Sequence, residues 1–363
     1  MKKFIFLFIM VLSAFVLTSC KEEGEYAIAM VTDLGDIDDR SFNQGTWEGI
    51  KKYAEEYGIP HKYYKPTSKD TDAYVAAIEL AISNGAKIVI TPGYLFEEAI
   101  NICQAQYPNT KFVIIDGNPA NVNAFDEDPD NNGTLMDNTY SIFFAEEQVG
   151  YLAGYAAVKE GHTNLGFMGG MAVPAVIRYG QGFIFGANAA AIEDNKDITI
   201  KYHYTGDFQA NSRNQSTSAT MYSDGVSIIF ACGGSVGNSV MAAAAVDNKL
   251  VIGVDVDQSQ ESPTVITSAT KGIGIAAYTA LESFFGGDWD EEAGGLSVTL
   301  DAAKDGVGLV MNENAKFNIF TKAQYDAVFK DLVDGKIVIP FDLTKANKEN
   351  ELIVSKVTVT VVA

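Results

Sequence analysis

The stretch MVTDLGDIDDRSFNQGTW, which runs from Met30 to Trp47, joins an apolar strand to an amphipathic helix. The predicted strand covers residues 26–31, and the predicted helix begins at Phe42. In open α/β sheets, the loops that follow the carboxyl ends of strands are where small molecules bind. The stretch therefore predicts an α/β fold with a binding site at its acidic loop.

Phe42 is the unusual member of this loop, because a bulky apolar residue stands at the start of a helix. Such a side chain either packs into the core as a hydrophobic staple or offers a platform on which a flat ligand stacks. In the second interpretation, Asn43 and Asp33 contact the polar edge of that ligand. The residues alone leave both interpretations open.

The rest of the first half alternates short apolar runs with helical patterns. The further predicted strands lie at 62–64, 87–91 and 111–115, and the predicted helices lie at 42–57, 70–83 and 95–105. Strands that alternate with single helices predict a parallel, doubly wound sheet.

The same alternation begins again at residue 165. The second set has predicted strands at 165–168, 198–204, 227–231 and 250–254, with helices near 174–194, 209–223 and 236–246. The C-terminal part adds a helix at 272–285, strands at 296–300 and 306–311, a helix near 321–333 and a β-rich tail. Two Rossmann-like, doubly wound α/β lobes joined by a hinge are the layout of a clam-like binding protein.

We expect the first lobe to cover residues 26–140 with part of 268–300, which crosses back to it. The second lobe is expected to cover 141–267 with part of 301–363. A connection at 118–138 is rich in Asn, Asp, Pro and Gly and is longer than most loops of compact domains. It is either a segment that flanks the hinge or a surface decoration.

The first twenty residues, MKKFIFLFIMVLSAFVLTSC, predict a secretory signal peptide at 1–19. Two lysines precede an apolar run of roughly fifteen residues, which is too short for an ordinary membrane span. The ending resembles the bacterial lipoprotein box, in which Cys20 becomes the lipid-modified first residue. Residues 20–25 would then tether the folded part to the extracytoplasmic face of the cell membrane.

Charge and cysteine usage exclude several classes of partner. The formal net charge is −21, and it becomes about −23 without the leader, so nucleic acid should be repelled. Cys103 and Cys232 lie in apolar segments and are predicted to be buried free thiols. His61, His162 and His203 are scattered, so neither a metal site nor a cofactor is expected.

Several segments, in one order along residues 26–271, resemble the basic membrane protein family. The segments are VTDLGDIDDRSFNQGTWEGI, TPGYLFEEAI, FVIIDGNP, EEQVGYLAGYAA, GFMGGMAVPAVIRYGQGFIFG, IIFACGGSVG, VIGVDVDQ and VITSATK. That family supplies the lipoprotein substrate-binding subunits of nucleoside ABC transporters. The resemblance implies a type I periplasmic-binding-protein-like fold, a purine nucleoside ligand, a permease partner and no enzymatic activity.

The resemblance also implies roles for individual residues. Phe42 falls where the family stacks the base of its ligand, and Asn43 and Asp116 fall where the base edge is contacted. Asp255 and Lys271 fall where the ribose hydroxyls are held. A carboxylate can accept two vicinal hydroxyl protons, and an ammonium donates to the same sugar while it offsets buried charge.

The second aromatic wall of the site is left open among Tyr94, Tyr179 and Phe208. Each follows a strand or begins a helix at the correct end of its sheet. Gly234, in the turn after the third strand of the second set, is a further candidate ligand contact. Asp36 replaces a glycine that is usual in the family, which would place another carboxylate near the site.

Two kinds of enzyme and a ligand sensor are the alternatives to a transport receptor. TDLGDIDD superficially resembles the calcium motif of nucleoside hydrolases, but Val31 stands where its first aspartate should be. The turn at 233–238 only partly resembles a dinucleotide-binding G-x-G-x-x-G loop and lacks its last glycine. A ligand sensor of the same fold, not coupled to transport, stays open.

Overall fold

A computed structural model describes residues 26–33, 35–122 and 133–362. The predicted signal peptide at 1–19, Cys20 and the tether at 20–25 lie outside the described residues, as does part of the connection at 118–138. Every helix of the described ranges is too short or too polar to cross a membrane.

The first sheet has six strands, all paired in parallel. Its strands are β1 (Ile28–Val31), β2 (His61–Tyr64), β3 (Ile88–Pro92), β4 (Lys111–Ile115), β5 (Thr139–Phe144) and β11 (Ser297–Leu300). Their order across the sheet is β11-β5-β4-β3-β1-β2. The central strands are buried along their whole length, as expected of short apolar runs in a sheet that helices cover on both faces.

The second sheet has seven strands, in the order β12-β10-β9-β8-β6-β7-β13. These are β6 (Asn164–Gly169), β7 (Ile198–Tyr204), β8 (Ile228–Cys232), β9 (Leu250–Asp255), β10 (Val265–Lys271), β12 (Val307–Leu309) and β13 (Val357–Val361). Only the edge strand β12 pairs antiparallel among the pairs of the described residues. We call each sheet with its covering helices the first and the second lobe.

Ten α-helices occur in the described ranges. They are α1 (Phe42–Tyr57), α2 (Thr71–Ser83), α3 (Glu97–Gln106), α4 (Glu146–Lys159), α5 (Pro174–Glu193), α6 (Ser212–Ser223), α7 (Val236–Asp247), α8 (Ile273–Gly286), α9 (Trp289–Glu292) and α10 (Lys322–Val333). Local caps fix several ends. Asp70 accepts a hydrogen bond from the Ala73 N–H at the start of α2, and Thr321 and Gln324 form a capping box on α10.

Glycines let α4 and α5 pack backbone to backbone. A Cβ on Gly150 of α4 would lie 2.2 Å from the Tyr179 carbonyl oxygen, and one on Gly154 would lie 2.0 Å from that of Phe183. Only glycine fits at such a close approach. The N-terminal parts of the two helices, which carry Glu146 and Arg178, are therefore held side by side.

The chain crosses between the lobes three times among the described residues. It passes from β5 to α4, from β10 to α8 and from β11 to β12. The third crossing is bonded to the other two, because the Ala145 N–H donates to the Leu300 carbonyl at 3.0 Å and the Gly272 N–H donates to the Gly306 carbonyl at 2.9 Å. We call these crossings the hinge.

The predicted fold class is confirmed: two mostly parallel sheets, each built from strands that alternate with helices. The hydrophobic pattern predicts no element at residues 139–163, where the structure has β5 and α4. Helix α4 is rich in Gly and Ala and is buried on nearly every side, so it lacks the one-sided apolar pattern that marks a surface helix. Cys103 and Cys232 are buried and free, as predicted.

Candidate ligand-binding site

A cavity lies between the lobes, at the carboxyl ends of β1, β3, β4, β8, β9 and β10. It is lined by residues of both lobes and holds about 710 Å³ of space outside the protein atoms, part of which is open to solvent. The structure brings all ten sequence-predicted ligand contacts to its walls. They are Asp33, Phe42, Asn43, Tyr94, Asp116, Tyr179, Phe208, Gly234, Asp255 and Lys271.

The acidic loop of the first lobe satisfies its own carboxylates. Asp39 accepts hydrogen bonds from the backbone N–H groups of Ser41 and Asn43, both at 2.9 Å, and of Gln44 at 3.1 Å. It therefore caps the first turn of α1. Burial raises the pKa of the Asp39 carboxyl to about 6, against the effect of these donors.

Asn43 locks the same loop from the helix side. Its Nδ2 donates to Asp33 Oδ1 at 2.7 Å and to Asp39 Oδ2 at 3.1 Å, and its Oδ1 accepts from the Asp33 N–H at 3.3 Å. Both N–H donors of the amide are thus used within the protein, and its oxygen, which has accepted one hydrogen bond, can accept a second from a ligand. Burial raises the pKa of Asp33 as well, although the Asn43 donor opposes the shift.

The acidic loop does not have the arrangement of a calcium site. Asp36 is exposed and pairs with Lys65 rather than lining the cavity. The prediction that Asp36 places another carboxylate near the ligand is therefore wrong. In the described part of the chain, no group of His, Cys, Asp and Glu side chains is arranged to hold a metal ion. The loop carboxylates instead accept N–H donors.

Lys271 is the centre of a charged wall that lies beside the acidic loop. Its side chain is only 2% exposed, and its Nζ donates to Asp116 of the first lobe. The same ammonium lies 3.8 Å from Asp255 Oδ1 of the second lobe and 3.4 Å from Glu146 Oε1 at the hinge. It also lies 4.5 Å from the centroid of the Phe42 ring, within the range of a cation–π contact.

One ammonium does not balance the carboxylates around it. Burial raises the pKa of Asp116 to about 7 although Lys271 acts in the opposite direction, and it raises the pKa of Asp255 against the same ammonium. Asp116 Oδ1 is buried and has no hydrogen-bond partner among the described residues. A buried acceptor of this kind costs free energy until a donor reaches it.

Asp116 and Asp255 share a backbone feature. Asp116 directly follows β4, and Asp255 is the last residue of β9. Their φ angles of 59° and 67° lie in the left-handed region that non-glycine residues rarely adopt. Asp116 is held there by its N–H, which donates to the Ile142 carbonyl at 2.8 Å. Asp255 accepts from Ser41 Oγ of the facing lobe at 2.5 Å. Such local strain is typical of binding sites.

The aromatic residues of the cavity differ in exposure. Phe42 and Phe208 are partly exposed and Tyr94 is 41% exposed. Tyr179 is buried, and its ring packs edge-on against Phe230 with a centroid distance of 5.7 Å. Tyr179 therefore belongs to the core behind the cavity, whereas Tyr94 and Phe208 have free ring surface.

The lobes also contact each other beside the cavity. Arg40 of the first lobe forms an ion pair with Glu261 of the second, and its carbonyl accepts from Gln258 Nε2 at 2.8 Å. Together with the bond from Ser41 to Asp255, these contacts hold the lobes close together around the cavity.

Sequence reasoning missed Glu146 and Arg178. Glu146 is completely buried at the start of α4, and its Oε2 lies 2.7 Å from Arg178 Nη2. The Arg178 Nε donates to the same oxygen at 2.7 Å. The available signal was an arginine within the apolar α5 segment, together with two glutamates that begin the Gly- and Ala-rich α4.

Two lobes, three hinge crossings and a cavity between the strand ends define a type I solute-binding protein. The chain belongs to the family of PnrA-like ABC transporter substrate-binding proteins, whose profile matches residues 27–340. This is a family of substrate-binding proteins rather than of enzymes.

Named relatives cover most of the chain. The ABC transporter nucleoside-binding protein BmpA of Lactococcus lactis subsp. cremoris is 29% identical over 89% of this chain and 91% of its own length. Basic membrane protein A2 of Borrelia garinii subsp. bavariensis is 30% identical over 93% of this chain and 96% of its own length.

Solved structures of solute-binding proteins share the fold. A solute-binding protein from Aeropyrum pernix K1 superposes with a TM-score of 0.72 at 22% identity, covering 87% of this chain and 94% of its own. One from Conexibacter woesei gives 0.67 at 20% identity, covering 87% and 99%. At these identities the likeness establishes the fold alone.

Proposed function

We propose that this protein binds a nucleoside with a purine base in the interlobe cavity and delivers it to an ABC permease. The observation that carries the proposal is a partly exposed aromatic ring, Phe42, in a cavity that is also lined by the buried carboxylates of Asp116 and Asp255. A flat base and a hydroxyl-bearing sugar match these two surfaces. The nucleoside-binding relative from Lactococcus lactis supports the same class of ligand.

The base stacks on Phe42, and the polar edge of the base reaches Asp116. Stacking on an aromatic side chain is worth about 1–3 kcal/mol per base. Asp116 Oδ1, which lacks a partner, accepts an N–H donor of the base edge, while Asn43 and Asp33 line the same cavity. Tyr94 or Phe208 covers the second face of the base.

The sugar lies against Asp255 and Lys271. The Asp255 carboxylate accepts the vicinal hydroxyls, and the Lys271 ammonium donates to a sugar oxygen. Gly234 approaches the ligand through its backbone, and Tyr179 closes the floor of the cavity. A phosphate would meet Asp33, Asp116 and Asp255 with one nearby ammonium, so nucleotides bind poorly.

No chemistry is performed on the bound nucleoside. Incubation of the purified protein with inosine should release no free base at any time point, whereas a calcium-dependent hydrolase would release hypoxanthine. Delivery is tested by uptake of labelled nucleoside in cells that lack the protein. Undiminished uptake would favour the sensor over the transport subunit.

The lipid anchor on Cys20 completes the proposal. Cys20→Ala should leave the fold intact and move the protein out of the detergent phase in a detergent-partitioning assay. A variant that partitions like the parent protein would show that Cys20 is not the lipidated residue.

The identity of the ligand is tested by mass spectrometry of small molecules that remain bound through purification from the native host. The expected result is a purine nucleoside in a 1:1 complex, displaced by added adenosine, inosine or guanosine. A different class of bound molecule that these nucleosides do not displace would overturn the proposal.

A further inference from the structure

Glu146 contacts the ligand wall without being part of it. It is completely buried, it is not among the residues that line the cavity, and its Oε1 lies 3.4 Å from the Lys271 ammonium. Its other oxygen is bound by Arg178. Burial disfavours its charge, yet Arg178 and Lys271 keep the pKa of Glu146 below its usual value, so it is an anion at neutral pH.

Glu146 and Lys271 each lie next to a crossing between the lobes. Glu146 is the first residue of α4, directly after the first crossing, and Lys271 is the last residue of β10, directly before the second. The ion pair therefore joins two hinge crossings at their ends. The same ammonium reaches Asp116 in the first lobe and Asp255 in the second.

We propose that Glu146 is a positioning residue, which holds the Lys271 ammonium between the lobes and so presents it to the sugar of the ligand. Arg178 in turn fixes Glu146, because two of its nitrogens lie 2.7 Å from one carboxylate oxygen. Lys271 has a flexible side chain, and its ammonium can pair with either of two carboxylates, Asp116 in the first lobe or Asp255 in the second. A third, buried anion at the hinge restricts that choice.

The first test is independent of any ligand. In ¹⁵N-labelled protein, a fixed and buried ammonium gives a resolved ¹⁵N–¹H signal, which is assigned to Lys271 by its absence in Lys271→Met. Glu146→Gln should broaden or shift this signal, and Glu147→Gln should preserve it. Glu147 is the matched control because it lies 3.7 Å from Arg178 and has no ion pair with Lys271. An unchanged Lys271 signal in Glu146→Gln would overturn the inference.

The second test uses nucleoside binding and rests on the proposed function. Glu146→Gln should raise the Kd for adenosine at least about tenfold, with a smaller change for free adenine, because only the sugar contacts Lys271. Equal changes for both ligands would contradict a positioning role. Failure of the unchanged protein to bind any nucleoside would contradict the proposed function, while the ammonium signal still decides the role of Glu146.

A double variant separates positioning from simple charge balance. Glu146→Gln leaves Arg178 without its main counter-ion, whereas Glu146→Gln with Arg178→Gln removes one charge of each sign. If Glu146 only neutralised Arg178, the double variant would bind adenosine like the parent protein. We expect it to remain at least about tenfold weaker, with its Lys271 ammonium signal still perturbed.

Discussion

Two parts of the cavity wall, the loop wall with Asp33 and Asp39 and the hinge wall with Asp116 and Asp255, differ in the hydrogen-bond donors that their carboxylates receive. On the loop wall, Asp33 and Asp39 accept N–H donors from their own loop and from Asn43. On the hinge wall, the single ammonium of Lys271 lies beside both Asp116 and Asp255. Asp255 also accepts from Ser41 Oγ, and one oxygen of Asp116 has no partner among the described residues. The carboxylates of the first wall receive donors from the protein itself, whereas the second wall has an unused acceptor, Asp116 Oδ1, that a ligand can fill.

The largest expected effect comes from Lys271→Ala. The substitution strips the hinge wall of its cation and leaves buried carboxylates unpaired, which should cost about 3–5 kcal/mol of unfolding free energy at pH 8. Urea denaturation measures the loss. Lys322→Ala, which breaks an exposed pair with Asp326, is the control and should cost less than about 1 kcal/mol. A similar small cost for both would show that the hinge wall does not depend on its ammonium.

Phe42→Ala tests whether the Phe42 ring stacks on the ligand or packs in the core. Because the ring is partly exposed, its loss should weaken nucleoside binding by about 1–3 kcal/mol while the melting temperature of the free protein barely changes. Ile353→Ala, which truncates an apolar side chain that is 96% exposed and does not line the cavity, should change neither quantity. A loss of about 3–5 kcal/mol of folding free energy with unchanged affinity would instead place Phe42 in the core.

Asp39→Ala tests the self-contained loop wall. It removes the cap of α1 and should cost about 0.5–2 kcal/mol of unfolding free energy. Asp36→Ala in the same loop should cost less, because Asp36 is exposed and contacts Lys65. Equal losses from both variants would contradict the capping role of Asp39.

A further expected effect is a slope in stability against pH. Asp116 has a pKa of about 7 in the folded protein and about 3.9 in the unfolded chain, so the folded state binds more protons between these values. Its contribution to stability therefore falls as the pH rises from about 4 to 7. Asp116→Asn should flatten the slope relative to the parent protein. Asp72→Asn, an exposed control on α2, should leave it unchanged.

Short, continuous apolar runs predicted the two parallel sheets. A strand that helices cover on both faces is apolar along its whole length, so a few consecutive residues are enough to identify it. Helix α4 escaped prediction, since it is buried nearly all round and packs on α5 through glycines. The outward direction of Asp36 also could not be predicted, because a loop sequence does not fix which way each side chain points. The contact between Glu146 and Arg178 joins residues 32 positions apart and depends on that glycine packing.

The central claim is that the hinge wall takes up the sugar of an uncharged nucleoside while Phe42 stacks its base. Isothermal titration of the unchanged protein with adenosine, adenine and AMP at pH 8 tests it most directly. We expect tight binding of adenosine, much weaker binding of adenine because two buried polar groups lose partners at about 1–3 kcal/mol each, and poor binding of AMP. Equal affinity for adenine and adenosine, or tight binding of AMP, would contradict it.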